Sequence, residues 1–262
     1  MRVVVFGLGK TGTTALFFKL KQAMAADTQC LFEPRSFVAA PGASSNILAK
    51  VLIGYNRDVD PSGFFAFDRK LFLTRDPRDT LVSRVLYDIY NEPTIYSDDD
   101  KVNEFVSVLR RKEADPQGTP LCDIIALFDR MSKRAVLPRA TRDAGVALDF
   151  QRQHADLFPY RYEDLVRAHY APIEPYLGFT LGREAATVPA DFARVVRTRQ
   201  AGNWRHWLTA SDVDFFKPWF ASYLAYNGYP DDWTLAPEPR IPPEHCSGYV
   251  MRLVNERRGI SQ

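Results

Sequence analysis

The chain has 262 residues and a mass of 29.9 kDa, enough for one substantial α/β domain and short for two. Its 46% apolar and 25% charged residues mark an ordinary soluble globular protein. A formal net charge of +2 does not point to general nucleic-acid binding, which needs a strong basic surplus, so any anion site must come from local arginine clusters.

Cys30, Cys122 and Cys246 are odd in number and form neither a CxxC pair nor a metal-like spacing. They read as reduced thiols, and the expected compartment is the cytoplasm. The first residues read as a core strand rather than a signal peptide, and no apolar run reaches membrane-spanning length.

Taken in order, Val3 to Phe6 is a short β-branched and aromatic run of the kind found in buried parallel strands. It empties into a loop, Gly9-Lys10-Thr11-Gly12-Thr13-Thr14, and then into a helix that starts at the paired threonines. Gln29 to Phe32 reads as a second strand ending at Glu33-Pro34-Arg35. Residues 36–46 read as loop and Ile47 to Tyr55 as a short helix. Lys70 to Thr74 is another strand, delivering Arg75. Asp76, Pro77 and Asp79 then suit N-cap, N1 and N3 of a helix running to about Tyr90.

Asn91 to Lys101, with Pro93 and Asp98-Asp99-Asp100, reads as an exposed polar loop, and the three aspartates as solvated rather than metal-binding. Helical periodicity follows over Val102–Lys112 and Leu121–Val136. Leu157 to Tyr162 reads as a strand with a helix after it, Gly202-Asn203-Trp204 as part of a basic loop, and Ser211–Tyr226 as an aromatic-rich helix. The tail from Ala236 to His245 carries four prolines and reads as extended.

Strands alternating with helices predict a parallel sheet covered by helices on both faces, a three-layer α/β/α arrangement. In such sheets ligands bind beyond the carboxyl ends of the strands, where the Gly9–Thr14 loop, Glu33, Arg75 and Tyr162 would all emerge.

A strand, a glycine-rich loop and a helix make a phosphate site, because backbone N–H groups and the helix N-terminus face the anion. The nucleoside-triphosphatase loop has the form G-x-x-x-x-G-K followed by serine or threonine. Matching Gly9-Lys10-Thr11 to its end places the first glycine at Val4, inside the strand, so the loop is too short for that motif. In the other register lysine comes early and Thr13 and Thr14 offer hydroxyls and N–H groups to one phosphate, with Lys10 reaching past it.

In that register, Lys10 to Thr14 resembles the 5′-phosphosulfate loop of sulfotransferases that use 3′-phosphoadenosine 5′-phosphosulfate (PAPS). Arg75 and, eight residues on, Ser83 resemble the same family's 3′-phosphate pair. Ser83 lies about 9 Å along the helix from Pro77, so the two can clasp one anion from two sides. Tyr162-Glu163-Asp164 is similar to a third family element, whose tyrosine approaches the adenine. Arg197 to Trp204 is similar to a fourth, making Arg197 and Arg199 3′-phosphate contacts beside Gly202. Two departures are an alanine at 15, where many relatives stack a tryptophan on adenine, and Thr198-Arg199 in place of lysine-glycine.

The resemblance implies one sulfotransferase domain over residues 1–262, with residues 235–262 a proline-rich extension. It implies PAPS as donor, PAP (3′-phosphoadenosine 5′-phosphate) as product, and a carbohydrate or other small-molecule acceptor. No metal, nucleic acid or membrane partner is expected. Lys10 would stabilise charge on the leaving oxygen. Carbohydrate- and protein-modifying members place a glutamate base after the second strand, where Glu33 stands. The small-molecule members' histidine between the phosphate motifs is absent, since the histidines are 154, 169, 206 and 245. An arginine cluster of Arg35, Arg57 and Arg139 would favour an anionic acceptor. Two other readings are an ATP- and magnesium-dependent kinase, and a non-catalytic nucleotide-binding protein on the same fold. Apart from the motifs, Tyr162 reads as half-buried packing, Trp204 as a core or loop anchor, Glu33 as a surface partner of Arg35, and His154 as either a substrate contact or plain surface.

Overall fold

The computed structural model describes residues 1–39, 44–54, 58–132 and 134–260. In chain order its regular elements begin with β1 (Arg2–Gly7), α1 (Thr13–Ala23), β2 (Gln29–Phe32), β3 (Ile47–Leu52) and β4 (Arg69–Thr74). A helical stretch follows: α2 (Pro77–Tyr87), α3 (Pro93–Tyr96), α4 (Asp99–Ala114), α5 (Leu121–Ser132) and α6 (Val136–Gln153). Then come β5 (Phe158–Arg161), α7 (Tyr162–Val166), α8 (Glu174–Leu177), α9 (Trp204–Trp207), α10 (Ala210–Tyr226) and α11 (Ser247–Arg258). The chain divides into two compact units, Met1–Arg75 with Arg142–Ala193, and Asp76–Thr141 with Arg194–Gln262.

The first unit carries a five-stranded, wholly parallel sheet in the order β2-β3-β1-β4-β5, flanked by helices. β1 lies in the middle, and Val3, Val4, Val5 and Phe6 have no exposed surface, as expected of a strand covered on both faces. Leu16, Phe17 and Leu20 of α1 are buried, while the Phe6 ring meets Phe64, Phe65 and Phe150 of α6. Each such side chain contributes roughly 1.5–3 kcal/mol by leaving water. From β1 the chain crosses to β2 at the edge, returns to β3 beside β1, and then starts the other side with β4. The loops after β1 and β4 therefore flank the point where strand order reverses, the usual ligand crevice of an open parallel sheet.

The short helix expected over 47–55 is instead β3, fully buried and paired with both β1 and β2. Lys50 interrupts an otherwise apolar run, and lysine is depleted in strands, which hides the strand pattern. Tyr55 lies outside the described residues, as do residues 40–43 of the expected 36–46 loop and Arg57 of the arginine cluster. The last strand stops at Arg161, and Tyr162 opens α7 rather than closing the strand.

The second unit is helical among its described residues. Asp76 caps α2 as expected, its side chain accepting from the Arg78 amide with Pro77 at N1. The expected loop at 91–101 is largely helix: Pro93 starts α3, and Asp98 caps α4 by accepting from the Lys101 amide. Asp99 and Asp100 occupy the first turn of α4, where carboxylates suit the helix dipole. The single helix expected over 121–136 is two, because α5 ends at Ser132 and Val136 opens α6 with its amide on Asp129 Oδ1. The basic loop at 202–204 gives way to α9 from Trp204, and the proline-rich stretch leads into α11, which buries Tyr249, Val250, Leu253 and Val254.

Asp212, with no exposed surface, ties α10 to α5 by accepting from the amides of Leu121, Cys122 and Thr209. Lys112, equally buried, donates to the carbonyls of Pro116 and Thr119, and burial pulls its pKa down to about 8. The three cysteines carry no disulfide. Among the described residues no helix is long and apolar enough to cross a membrane.

Candidate active site

Within the first unit, the loops after β1, β2, β4 and β5 leave one edge of the sheet, because all five strands run in the same direction. The β1 loop is held from inside. The Thr11 hydroxyl donates to the Leu8 carbonyl at 2.8 Å, so it serves the loop's own shape. Gly12 is the N-cap of α1 with φ +92°, and the first turn of that helix carries no acidic residue. The amides that open α1 thus face an environment without a competing carboxylate of their own helix. A Cβ on Gly12 would stand 2.3 Å from Cδ2 of Tyr162, so the tyrosine ring lies directly against the loop and requires glycine there. Gly9 has no such demand, with nothing within 4 Å of a Cβ.

Arg75, at the end of β4, completes this arrangement. Its Nη1 donates to the Lys10 carbonyl at 2.9 Å, and its guanidinium sits 4.2 Å from the Tyr162 ring centroid. The side chain is 6% exposed, yet its Nε is buried without a hydrogen-bond partner. A buried guanidinium with an unsatisfied donor fits an anionic group, since leaving that N–H unpaired costs about 1–3 kcal/mol.

Glu33 joins the loop through a residue that motif reading missed. Lys50 Nζ, on β3, contacts Glu33 Oε1 at 2.7 Å and Thr14 Oγ1 at 2.9 Å, and stands 3.9 Å from the Phe32 ring centroid. The Lys50 side chain is 3% exposed, while that of Glu33 is 35% exposed. One buried ammonium therefore fixes the carboxylate beside the first turn of α1. The signal was a lone lysine inside an apolar run.

Four non-glycine residues among those described have positive φ: Lys10 at 70°, Glu33 at 55°, Ala168 at 53° and Arg199 at 52°. Three of the four are residues singled out from the sequence. Such conformations cost of order 1–3 kcal/mol each and gather where function requires them.

In the second unit, Ser83 lies on α2 and is 4% exposed. Arg197 is buried, donating from Nη1 to the His245 carbonyl, while Arg199 is exposed. Asp79, fully buried one turn before Ser83, accepts from the amides of Gly202 at 2.6 Å and Trp204 at 2.9 Å. Trp204 is a core anchor, 1% exposed, with the Arg78 guanidinium 4.0 Å from its ring centroid. Arg139 faces Asp88 at 4.0 Å. In the first unit, His154 stacks on Phe65 with ring centroids 3.9 Å apart.

No family model matches the chain, and no curated protein matches it. Among solved structures, it is similar to the mouse sulfotransferase SULT7A1 complexed with PAP. That likeness has 12% sequence identity and a TM-score of 0.49, and it covers 86% of this chain and 84% of that one.

Proposed function

We propose that this chain is a sulfotransferase that moves the sulfuryl group of PAPS to a hydroxyl of a carbohydrate or other small-molecule acceptor. The observation that carries the reading is the Lys50 bridge, which holds a partly exposed carboxylate, Glu33, against Thr14 of an anion-type loop. A partly exposed carboxylate held beside an anion-type loop has the chemistry to take the proton of an incoming hydroxyl.

Bound PAPS supplies an activated sulfuryl group, whose bond to the 5′-phosphate oxygen breaks as the acceptor oxygen bonds to sulfur. Lys10 places positive charge beside the leaving oxygen, where one such donor is worth about 100- to 1,000-fold in kcat. Glu33 takes the proton of the acceptor hydroxyl, a contribution of about 100- to 10,000-fold. Gly9 to Thr14 hold the 5′ end through backbone N–H groups, and Arg75 brings its unsatisfied donor to the 3′-phosphate, the role its motif suggests. Ser83, Arg197 and Arg199 keep the 3′-phosphate role that the motifs suggest and Tyr162 the adenine contact, while Gly202, whose amide is given to Asp79, shapes the segment instead of touching the phosphate.

The test is transfer of labelled sulfate from PAPS to a panel of sugars and small alcohols by the wild type and Glu33→Gln. Label should reach an acceptor with the wild type, and the variant should keep PAP binding while losing turnover by at least 100-fold. Near-normal turnover would remove Glu33 from its role. Binding without transfer to any acceptor would favour a non-catalytic nucleotide-binding protein, and transfer from ATP with magnesium a kinase.

A further inference from the structure

Resting on the sulfotransferase reading, we propose that Asp79 is the positioning residue that lets this protein select a nucleotide carrying a 3′-phosphate. Asp79 is a carboxylate with no exposed surface, and its two oxygens are committed to two backbone amides more than 120 residues away, Oδ2 to Gly202 and Oδ1 to Trp204. A buried carboxylate near an anion-binding segment would repel its ligand. Here its negative charge is spent on N–H groups, which converts it into a clamp.

The clamp acts on a segment that cannot hold its shape by secondary structure. Arg199 and Gly202 both have left-handed φ, 52° and 79°. Around them the Thr198 hydroxyl accepts from the Gln200 amide at 3.2 Å and from Asn203 Nδ2 at 3.4 Å. Beyond the clamp, Trp204 is fixed on Arg78, and Asp76 grips that guanidinium through both carboxylate oxygens. Removing the two Asp79 bonds would free the Arg199–Gly202 backbone while leaving Trp204 packed.

Asp79 and Ser83 stand four residues apart on α2, so they lie on one helix face about 5–6 Å apart at Cβ. By tying the Gly202 amide to that face, Asp79 anchors the backbone that follows Arg199 one helical turn before Ser83. A hydroxyl and a guanidinium held together suit a phosphate monoester and add nothing for a nucleotide that lacks one.

The experiment is calorimetric titration of the wild type and Asp79→Asn with PAP and with adenosine 5′-monophosphate, alongside thermal unfolding of both proteins. Asparagine keeps the size of the side chain but turns one acceptor into a donor facing an amide. The wild type should prefer PAP by more than tenfold. The variant should lose at least tenfold of that preference through weaker PAP binding, with adenosine 5′-monophosphate affinity unchanged. An unchanged preference, or equal weakening of both ligands, overturns the inference. A wild type that binds no PAP overturns the sulfotransferase reading and this inference with it.

Should Asp79→Asn not fold, amide hydrogen exchange on the wild type decides. At equal saturation, PAP should slow exchange at Gly202 and Trp204 by severalfold more than adenosine 5′-monophosphate does. Equal protection by the two ligands overturns the inference.

Discussion

Replacing Gly12 by alanine tests how the loop is built. Two costs add at this position. An alanine at φ +92° sits in the left-handed region, which costs roughly 1–2 kcal/mol for an L residue. The new Cβ would stand 2.3 Å and 2.7 Å from two carbons of the Tyr162 ring, so the ring must move, and overpacking of that kind costs typically 1–3 kcal/mol. The sum, about 2–5 kcal/mol, is a large share of the roughly 5–15 kcal/mol that keeps a domain folded. It corresponds to a loss of roughly 4–20 °C in Tm for a chain of this size. A displaced Tyr162 also disturbs Arg75, whose guanidinium rests on that ring and holds the Lys10 carbonyl, so PAP affinity should fall as well.

The assay is denaturant unfolding of Gly12→Ala, Gly9→Ala, Tyr162→Ala and the Gly12→Ala/Tyr162→Ala double variant. Gly9→Ala should lie within about 0.5 kcal/mol of wild type, since its Cβ meets nothing. Truncating the ring removes the collision but not the backbone strain, so the double variant should show a coupling of about 1–3 kcal/mol. Equal stability of Gly12→Ala and Gly9→Ala, or no coupling with Tyr162, would refute the reasoning.

Lys50→Met removes the ammonium shared by Thr14 and Glu33, and stopped-flow turnover should fall at least tenfold while the Kd for PAP moves much less; an unchanged kcat would separate Lys50 from the reaction. Its stability cost should be about 1–3 kcal/mol by chemical denaturation, below the 3–5 kcal/mol of a fully buried pair because Glu33 keeps access to water. Lys112 has a folded pKa of about 8 against 10.5 unfolded, so between those values the folded state binds fewer protons and its stability rises with pH. The rise is about 1.4 kcal/mol per pH unit for this group. Burial pushes the Cys246 thiol up, which acts in the opposite sense above the free value of 9.0. The wild type should therefore gain on Lys112→Met between pH 8 and 9 in parallel unfolding series, below the free value of the cysteine, and a pH-independent difference would contradict the assignment.

What could be read from residues alone was decided by how strongly local chemistry differs between alternatives. β1, β2 and β4 were legible because short apolar runs ended at turn or loop residues, and their order with the helices implied the parallel sheet. β3 was not, because a buried lysine broke its pattern, and that lysine proved to be the link between loop and carboxylate. The 91–101 stretch misled for the opposite reason: aspartate and proline favour loops and helix starts alike, and only Ile95 and Val102, buried beneath, distinguish the two. The left-handed backbones of Lys10, Glu33 and Arg199 left no mark in composition, since strain is imposed by the surrounding fold. Asp79 was placed correctly as the third residue of α2, but its partners lie over 120 residues away, beyond any local pattern.

The claim that the Lys10–Thr14 loop serves a 3′-phosphorylated sulfate donor is tested most directly by thermal unfolding with PAP against ATP plus magnesium. At one hundred times its dissociation constant, a ligand that binds only the folded state adds about 2.7 kcal/mol. The account predicts that stabilisation with PAP, without any metal. A shift with ATP and magnesium and none with PAP would contradict it.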